Sequence, residues 1–229
     1  MQPYLFPYIG YFQLMASADI FVVHDDVQHI KGGWINRNRI LSSGEPRWVT
    51  LPVSAGAHRL NINQRSYVPG AEGPRQFLRR LEAGYRAAPN FAEVFELVRP
   101  LLLHEDRNVA AFNTHALRGV AKSVGITTPL VVSSELTKDD SLRGEARVIA
   151  ICEALGAERY VNPIGGTALY HHARFAAHGL ELAFLQPEPR AYRQFGSVSV
   201  AGLSIIDVLM FNDATTVREM LEEFTLVEG

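Results

Sequence analysis

Apolar residues along this chain follow two kinds of spacing, and the spacing changes near residues 66 and 126. In the first 65 residues, three apolar runs rich in β-branched and aromatic side chains predict strands at 20–23, 48–53 and 59–63. The last two are expected to pair as a hairpin. A turn and a helix that ends near Ser17 are expected before the first strand. This part of the chain is therefore predicted to be β-rich.

Residues 66–125 carry apolar side chains at helical spacing and predict a central block of about three helices. After residue 126, strands are expected at 129–132, 159–161 and 180–185, and helices at 144–155, 168–177 and 215–224. Such alternation favours parallel strands joined by right-handed crossovers. We therefore expect a single domain over residues 1–229, of the α/β class, with a mixed, largely parallel, Rossmann-like sheet and a central helical block.

The composition is that of an ordinary globular protein and argues against several classes. Of the 229 residues, 47% are hydrophobic, and 22 basic and 24 acidic residues are interspersed to a net charge of −2. No broad basic face is expected, so a nucleic-acid partner is not predicted. No apolar run approaches the ~20 residues of a membrane span, and a single cysteine, Cys152, excludes an internal disulfide. We expect a cytoplasmic protein without a membrane partner.

Polar segments follow three of the predicted strands, at 25–26, 133–134 and 162–167. In sheets with parallel strands, ligands bind at the carboxyl ends of the strands. We therefore expect these three segments to contribute to a binding site.

The segment 162–167 joins a predicted strand to a predicted helix, where free backbone N–H groups can bind an anion. Its candidate residues are Asn162, Gly165, Gly166 and Thr167, with Thr167 as the expected helix cap. The segment lacks the lysine of a Walker sequence. Ser133 and Ser134 are further candidates for substrate contacts, although a simple turn explains them equally well. Scattered histidines predict no metal site.

The N-terminus is unusually aromatic, since five of the 22 aromatic residues lie in the first 12 positions. Prolines and a glycine between them favour a turn-rich path that directs several rings to one place. One interpretation is a ring platform for a sugar or a base, and the other is a hydrophobic segment that packs on the domain. The candidate binding residues are Gln2, Tyr4, Tyr8, Gly10 and Tyr11.

The segment 25–39 combines carboxylates, amides and basic groups around Gly32 and Gly33, and an exposed charged loop is the alternative to a site. Arginine and lysine bind anions, paired glycines allow close approach, and a carboxylate can act as general base or magnesium ligand. Alternation along a strand directs only one of the two aspartates into such a site. We assign Asp25, Asp26, Lys31 and Arg37 as candidate catalytic residues, and Gln28, Trp34, Asn36, Asn38 and Arg39 as candidate binding residues.

Five motifs make the chain resemble the WbqC-like family. They are Gln-Pro-Tyr-Leu-Phe-Pro-Tyr-Ile-Gly-Tyr-Phe-Gln-Leu, His-Asp-Asp-Val-Gln-His-Ile-Lys-Gly-Gly-Trp-Ile-Asn-Arg-Asn-Arg-Ile, Ser-Ser-Glu-Leu, Gly-Ala-Glu-Arg-Tyr-Val-Asn-Pro-Ile-Gly-Gly and Leu-Ser-Ile-Ile-Asp-Val-Leu-Met-Phe-Asn. The resemblance implies a bacterial cytoplasmic protein associated with O-antigen or other surface-polysaccharide synthesis and with the decoration of sugars. Relatives carry apolar residues where this chain starts at Met1, so the expectation is either that a first strand is absent or that the start lies further upstream.

The leading functional hypothesis is a transferase or ligase that modifies a nucleotide-linked amino sugar by forming an amide with a small acyl or aminoacyl group. Its substrate would be a small phosphorylated or sugar molecule. The sequence is compatible with ATP or another nucleotide with magnesium as cofactor, and with a homo-oligomer, but selects neither. The alternatives are a non-catalytic scaffold of a glycan-synthesis complex and a nucleotidyltransferase-like or glycosyltransferase enzyme. A scaffold should show its rings in an exposed patch, whereas an enzyme should gather them with Asp25 and Arg37 around one pocket.

Overall fold

The computed structural model describes residues 1–188, 190–196 and 198–228. Within them, the α-helices span Ile9–Ala16 (α1), Glu72–Tyr85 (α2), Phe91–Leu102 (α3), Val109–Ser123 (α4), Gly144–Ala154 (α5), His172–Ala176 (α6), Ile205–Phe211 (α7) and Ala214–Glu222 (α8). The strands span Phe21–Val23 (β1), Arg37–Ser42 (β2), Glu45–Thr50 (β3), Leu130–Val132 (β4), Arg159–Pro163 (β5), Glu181–Pro187 (β6) and Phe224–Val227 (β7). Short 3₁₀ helices span Ile62–Gln64, Ser133–Glu135 and Ile164–Leu169.

The strands form three small sheets among the described residues. β1 pairs in parallel with β4, and Val23 lies opposite Val132. β2 and β3 form an antiparallel hairpin. β5 pairs in parallel with β6, and β6 pairs antiparallel with β7. A mixed α/β fold with parallel pairs is confirmed, but these pairs belong to two sheets where the sequence predicts a single Rossmann-like one.

The N-terminal hairpin forms between other segments than the sequence predicts. β3 pairs with β2, which the sequence places in a polar segment. The turn between them has positive φ at Ser43 (54°) and Gly44 (77°), the backbone geometry of tight hairpin turns that match strand twist. Residues 59–63 form one isolated bridge at Asn61 and the start of a 3₁₀ helix. Their predicted pairing with β3 is wrong, because the tight turn at Ser43 and Gly44 places β2 beside β3 instead.

The central helical block is confirmed as α2, α3 and α4. On α2, Phe77, Leu81 and Tyr85 recur every four residues and are buried, which gives this helix one apolar face. α4 begins where the Asn108 side chain accepts hydrogen bonds from two backbone N–H groups of the first turn. α2 packs on β2 and on α3, and α3 packs on α4. Within the central block, α2 therefore covers one face of the β2–β3 hairpin.

Two helix ends in the last third differ from the prediction by two residues or more. α6 begins at His172 instead of residue 168, because the segment with Gly165 and Gly166 forms a 3₁₀ helix and glycine disfavours the α-helix. α8 ends at Glu222 instead of residue 224, and Phe224, the last residue of the predicted helix, begins β7.

Buried apolar residues form two clusters. The larger one joins the N-terminal aromatic segment to β1, the β2–β3 hairpin, the central helices and α7 and α8. The smaller one lies between α5, α6 and β6 and consists of Val148, Ile149, Cys152, Phe175, Leu180, Leu182 and Phe184. No helix among the described residues has both the length and the apolar composition needed to cross a membrane.

The first residue lies beside β1. The α-amino group of Met1 donates a hydrogen bond to the Val22 carbonyl oxygen (2.7 Å), and the Met1 carbonyl oxygen accepts one from the His24 N–H (2.7 Å). These bonds place the amino group next to the carboxyl end of β1.

Candidate functional site

The carboxyl ends of β1 and β4 lie side by side because the strands are parallel and in register. Just beyond β1, Asp25 accepts hydrogen bonds from the Ser134 N–H (3.0 Å), Ser134 Oγ (2.7 Å) and Asn63 Nδ2 (3.1 Å). The structure thus brings together two of the strand-end segments. Both carboxylate oxygens of the buried Asp25 are engaged, so this residue joins β1 to the turn after β4.

Asp26 has a different set of partners, as the alternation of neighbouring side chains predicts. Its Oδ2 lies 2.8 Å from Lys138 Nζ and 2.5 Å from Arg147 Nη2. The Lys138 side chain is only 1% exposed, and its ammonium group also donates to the Ser133 carbonyl oxygen. On the other side, His24 Nε2 lies 3.7 Å from Asp26 Oδ1. We call His24, Asp26, Ser133, Lys138 and Arg147 the strand-end cluster.

The environment of Asp26 favours its charged form. Burial alone would raise the pKa of this carboxyl group, but contacts with Lys138, Ser133 and Arg147 outweigh it and lower the pKa to about 2. The Ser133 hydroxyl contributes by proximity, although its geometry falls outside that of a hydrogen bond. Asp26 is therefore a carboxylate at neutral pH.

The same environment keeps the imidazole of His24 neutral. The pKa of His24 is lowered to about 4, mainly by burial and also by the Met1 α-amino group, Arg147 and Lys138, whereas Asp26 opposes these effects. A neutral imidazole has an unprotonated nitrogen that can accept a proton, and among the groups that shift its pKa, Asp26 favours the charged form. The His24 side chain is 18% exposed, although its Nε2 atom is buried.

The strand-end cluster has unused hydrogen-bonding capacity and an excess of positive charge. Four of its buried atoms lack a partner with hydrogen-bond geometry within the described residues: His24 Nε2, Asp26 Oδ1, Ser133 Oγ and Arg147 Nε. Buried polar atoms normally have such partners, and exceptions often mark functional positions. Two buried cations face one buried carboxylate. Asp140 also lies near both cations, 3.7 Å from Lys138 and 3.5 Å from Arg147, but it is 82% exposed, so water screens its charge.

The sequence does not single out His24, Lys138 and Arg147. Lys138 follows the 133–134 turn and Arg147 lies in the first turn of α5, but neither belongs to a motif with a recognised spacing. The available signal for Lys138 and Arg147 is their position after the predicted strand β4. This position points to the site only if β4 is known to pair with β1.

The 162–167 turn differs from its prediction in one respect. Thr167 does not cap a helix, because it lies inside the 3₁₀ helix, which starts after Pro163 without a side-chain cap. Asn162 is buried, and a Cβ atom at Gly166 would lie 2.0 Å from Asn162 Nδ2, so the amide packs against the glycine backbone. Gly165 has open space around it.

The first turn of α5 connects this region with the strand-end cluster. Glu145 accepts a hydrogen bond from the His171 N–H (2.6 Å) and pairs with Arg174 (2.9 Å). Two residues further, Arg147 pairs with Asp26. A single helical turn therefore contacts both the segment after β5 and the segment after β1.

The N-terminal aromatic residues pack mainly as core. Tyr11 is fully buried, its hydroxyl donates to the Gln2 carbonyl oxygen (2.9 Å), and its ring contacts Tyr4, Phe12 and Phe21. In this structure Tyr11 has the contacts of a core residue rather than of a surface platform.

Tyr4 and Tyr8 are half-buried against the same core, and burial raises the pKa of both phenols. A Cβ atom at Gly10 would lie 2.4 Å from the Tyr8 ring and 3.1 Å from Pro187, so glycine is required for close packing there. The turn-rich path that the sequence predicts therefore serves ring packing around α1.

Three amides of the 25–39 segment make bonds that hold the backbone. Gln28 donates to the His58 carbonyl oxygen (3.1 Å), and Asn36 donates to that of Leu51 (2.9 Å). The buried Asn38 donates to the carbonyl oxygens of two residues of the aromatic segment, Leu5 and Phe6. Asn38 thus ties β2 to the N-terminal turn.

The basic and aromatic residues of this segment lie elsewhere, on the exposed face of the β2–β3 hairpin. The Arg37 guanidinium lies over the Trp48 ring (4.2 Å), and Arg39 lies over Trp34 (5.7 Å). Lys31 is exposed in the preceding turn. The charged candidates of this segment are therefore separated: Asp25 and Asp26 lie at the end of β1, whereas Lys31, Arg37 and Arg39 lie at the hairpin face. Among the described residues, no group of three or more His, Cys, Asp or Glu side chains is arranged to hold a metal ion.

The fold and the site define a mixed α/β protein with a buried charged cluster at the carboxyl ends of two parallel strands. The chain belongs to the WbqC-like protein family, whose sequence profile matches residues 2–219. It is similar to the uncharacterized protein Rv1507c of Mycobacterium tuberculosis, with 29% identity over 208 residues that cover 90% of this chain and 89% of that protein. No solved structure matches the chain significantly.

Proposed function

We propose that the protein is a transferase or ligase of bacterial surface-polysaccharide synthesis that forms an amide on an amino sugar carried by a nucleotide. The observation that carries this proposal is the strand-end cluster, in which a neutral imidazole, a carboxylate and two buried cations meet with four polar atoms that lack partners in the described chain. Amide formation needs a group that accepts a proton and positive charge near the developing oxyanion.

In the proposed step, the sugar amine attacks the carbonyl carbon of the activated acyl group. The new C–N bond forms, the bond to the leaving group breaks, and the leaving group departs with that electron pair. Nε2 of His24 faces Asp26, so Nδ1 is the nitrogen that takes the proton from the attacking amine. Asp26 Oδ1 lies 3.7 Å from Nε2, beyond hydrogen-bond distance, so its contribution in this scheme is electrostatic and favours the protonated imidazole.

Lys138 and Arg147 supply the positive charge that stabilises the tetrahedral intermediate. Both are held by Asp26, so little reorganisation is needed when charge develops on the substrate. Ser133 Oγ lacks a partner in the described chain and can donate a hydrogen bond to the same oxygen. The backbone of the 162–167 turn, near the open space around Gly165, is the proposed contact for the nucleotide phosphates. Asp25 is a positioning residue in this scheme.

The test is an amide-forming assay with nucleotide-linked sugars that carry a free amine. Each is supplied with an acyl-coenzyme A or with ATP, magnesium and a small carboxylic or amino acid, and the amide is detected by mass spectrometry. His24→Gln should lower kcat about 100-fold or more while the melting temperature stays close to that of the wild type. His178→Gln is the matched control, because His178 is exposed and pairs only with Glu153 within the described chain.

Equal turnover by His24→Gln and the wild type would remove His24 from the mechanism. Absence of amide product with every donor, together with no thermal stabilisation by any nucleotide or nucleotide-sugar with or without magnesium, would remove the enzymatic proposal itself.

A non-catalytic binding protein of a glycan-synthesis complex is the second candidate. It is favoured by one observation, the position of Trp34 and Arg37 on an exposed hairpin face while Asp25 bonds to Asn63 and Ser134. This candidate predicts ligand binding at the hairpin without turnover.

A further inference from the structure

Four planar side chains lie next to one another on the face of the β2–β3 hairpin, three from its strands and Trp34 from the turn before β2. The Arg37 guanidinium lies 4.2 Å from the centre of the Trp48 ring, the Trp48 and Trp34 rings lie 5.0 Å apart, and the Arg39 guanidinium lies 5.7 Å from the Trp34 ring. Arg39 is the direct cross-strand partner of Trp48, and Arg37 lies two residues away on the same face. We call these four residues the Trp-Arg ladder.

Backbone carbonyl oxygens hold the two arginines of the ladder in place. Arg37 Nε donates to the Gly33 carbonyl oxygen (3.0 Å), and Arg37 also donates to that of Gly32. Arg39 donates to the Gly202 carbonyl oxygen (3.1 Å), and its Nε has no partner in the described chain. These contacts order both guanidinium groups without neutralising their charge.

The surroundings of the ladder are basic as well. Arg80 donates to the Trp48 carbonyl oxygen (3.0 Å), and Lys31 lies in the turn that leads to Trp34. Within the described chain, neither these two residues nor the ladder arginines form an ion pair with a carboxylate, although many other arginines do. The ladder is therefore a fixed local excess of positive charge on a protein whose net charge is −2.

The rings add apolar surface to this charge. Trp34 is 39% exposed and Trp48 is 41% exposed, and the neighbouring Ile30 is exposed too. Large exposed aromatic surface beside fixed cations suits a partner that has flat apolar faces and negative charges. An acidic sugar has both, since the C–H face of the ring stacks on indole and its carboxylate or phosphate group binds guanidinium.

We propose that the Trp-Arg ladder binds an acidic polysaccharide chain. The ladder lies open on the face of a hairpin, so it suits an extended chain that contacts one surface better than a small molecule that needs an enclosing pocket. Single-stranded nucleic acid combines stacking and charge too, but proteins that bind it carry broad basic surfaces, which the overall composition here argues against. This inference is independent of the amide-forming reaction, because the ladder shares no residue with the strand-end cluster.

The test uses the natural fluorescence of the protein, because its two tryptophans are both in the ladder. The probe is an oligogalacturonate of about ten sugars, titrated at low and at high salt. The matched probe is the same oligosaccharide with its carboxylates methyl-esterified, and a single-stranded oligonucleotide with the same number of charges is the third arm. We expect the oligogalacturonate to change the emission, and salt or esterification to weaken its binding about tenfold or more.

Variants then locate the binding by calorimetry. Arg37→Gln and Trp48→Leu should each weaken oligogalacturonate binding several-fold, and together about tenfold or more. Arg159→Gln removes the same charge from an exposed Arg159–Glu181 pair on another sheet and should leave the affinity unchanged. The proposal is overturned if the oligogalacturonate does not bind, if the ladder variants bind it as well as Arg159→Gln does, or if the oligonucleotide binds more tightly.

Discussion

Lys138 holds its ammonium nitrogen 2.8 Å from the Asp26 carboxylate, and this buried pair joins the end of β1 to the segment that follows β4. Arg147 adds a second cation from α5. Removing one partner of such a pair leaves an uncompensated buried charge, which is far more costly than the pair itself is stabilising. The pair therefore concerns stability as well as the proposed chemistry.

Asp26 should make stability fall between about pH 4 and pH 2. Its folded-state pKa of about 2 is lower than the ordinary 3.8, so the carboxylate stabilises the folded protein above pH 4, and this contribution is lost as the pH falls through the folded-state value. The contribution is roughly 2 kcal/mol of unfolding free energy. Urea denaturation at a series of pH values measures it. Asp26→Asn should abolish this acid step, whereas Asp19→Asn, at an exposed carboxylate, should keep it.

His24 should act in a higher pH window. Its folded-state pKa of about 4 is lower than the ordinary 6.5, so between these values the unfolded chain binds a proton that the folded protein excludes. Stability is therefore expected to fall by up to about 3 kcal/mol from pH 6.5 to pH 4. His24→Gln should flatten this part of the profile, and NMR titration of the imidazole gives the pKa directly. A His24 pKa near 6.5 in the folded protein would contradict the prediction.

Tyr85→Phe should destabilise the fold by about 1–3 kcal/mol. The Tyr85 hydroxyl accepts a hydrogen bond from the Leu41 N–H (2.8 Å) and donates one to the buried Asp207 (2.7 Å), so its loss leaves both groups short of a partner. Burial raises the pKa of Asp207, and hydrogen bonds from Tyr192, Tyr85 and Gln194 oppose this effect.

The measurement is chemical denaturation at pH 7. Tyr170→Phe is the control, because its hydroxyl contacts only Tyr160 in the described chain, at 3.4 Å, and should change the unfolding free energy by less than about 0.5 kcal/mol. Equal effects of the two substitutions would disprove the special role of Tyr85.

Gly166→Ala should be destabilising and Gly165→Ala should not. A Cβ atom at position 166 would lie 2.0 Å from Asn162 Nδ2, whereas one at position 165 meets nothing within 4 Å. We expect a loss of about 1–3 kcal/mol for the first substitution. Melting temperatures of both variants check this, and adding Asn162→Ala to Gly166→Ala should recover part of the loss. Similar melting temperatures for the two single variants would refute the close contact.

Part of the fold follows from short-range pattern. The helical spacing of Phe77, Leu81 and Tyr85 predicts α2, and β-branched runs predict β1 and β4, because periodicity along the chain is a local property. The pattern does not predict β2, and so does not predict the β2–β3 hairpin. The buried Asn38 and Ile40 alternate with Arg37 and Arg39, but the segment is mostly polar and lacks an apolar run.

The candidate site is predictable in outline only. A strand-end location for Asp25, Asp26 and Ser134 follows from the sequence, because parallel strands place their carboxyl ends together. The family could likewise be identified from its motifs, and the profile match over residues 2–219 confirms it.

The sequence by itself therefore determined the α/β class, the helical block, the family and the strand ends at which polar residues gather. Only the tertiary structure decided that Lys138 and Arg147 are the partners of Asp26, and that Trp34 and Arg37 contact Trp48 on a separate face. The physical reason is the separation along the chain between the residues that interact. Secondary structure depends on residues a few positions apart, whereas these contacts depend on how β1 pairs with β4 and how β2 turns back on β3.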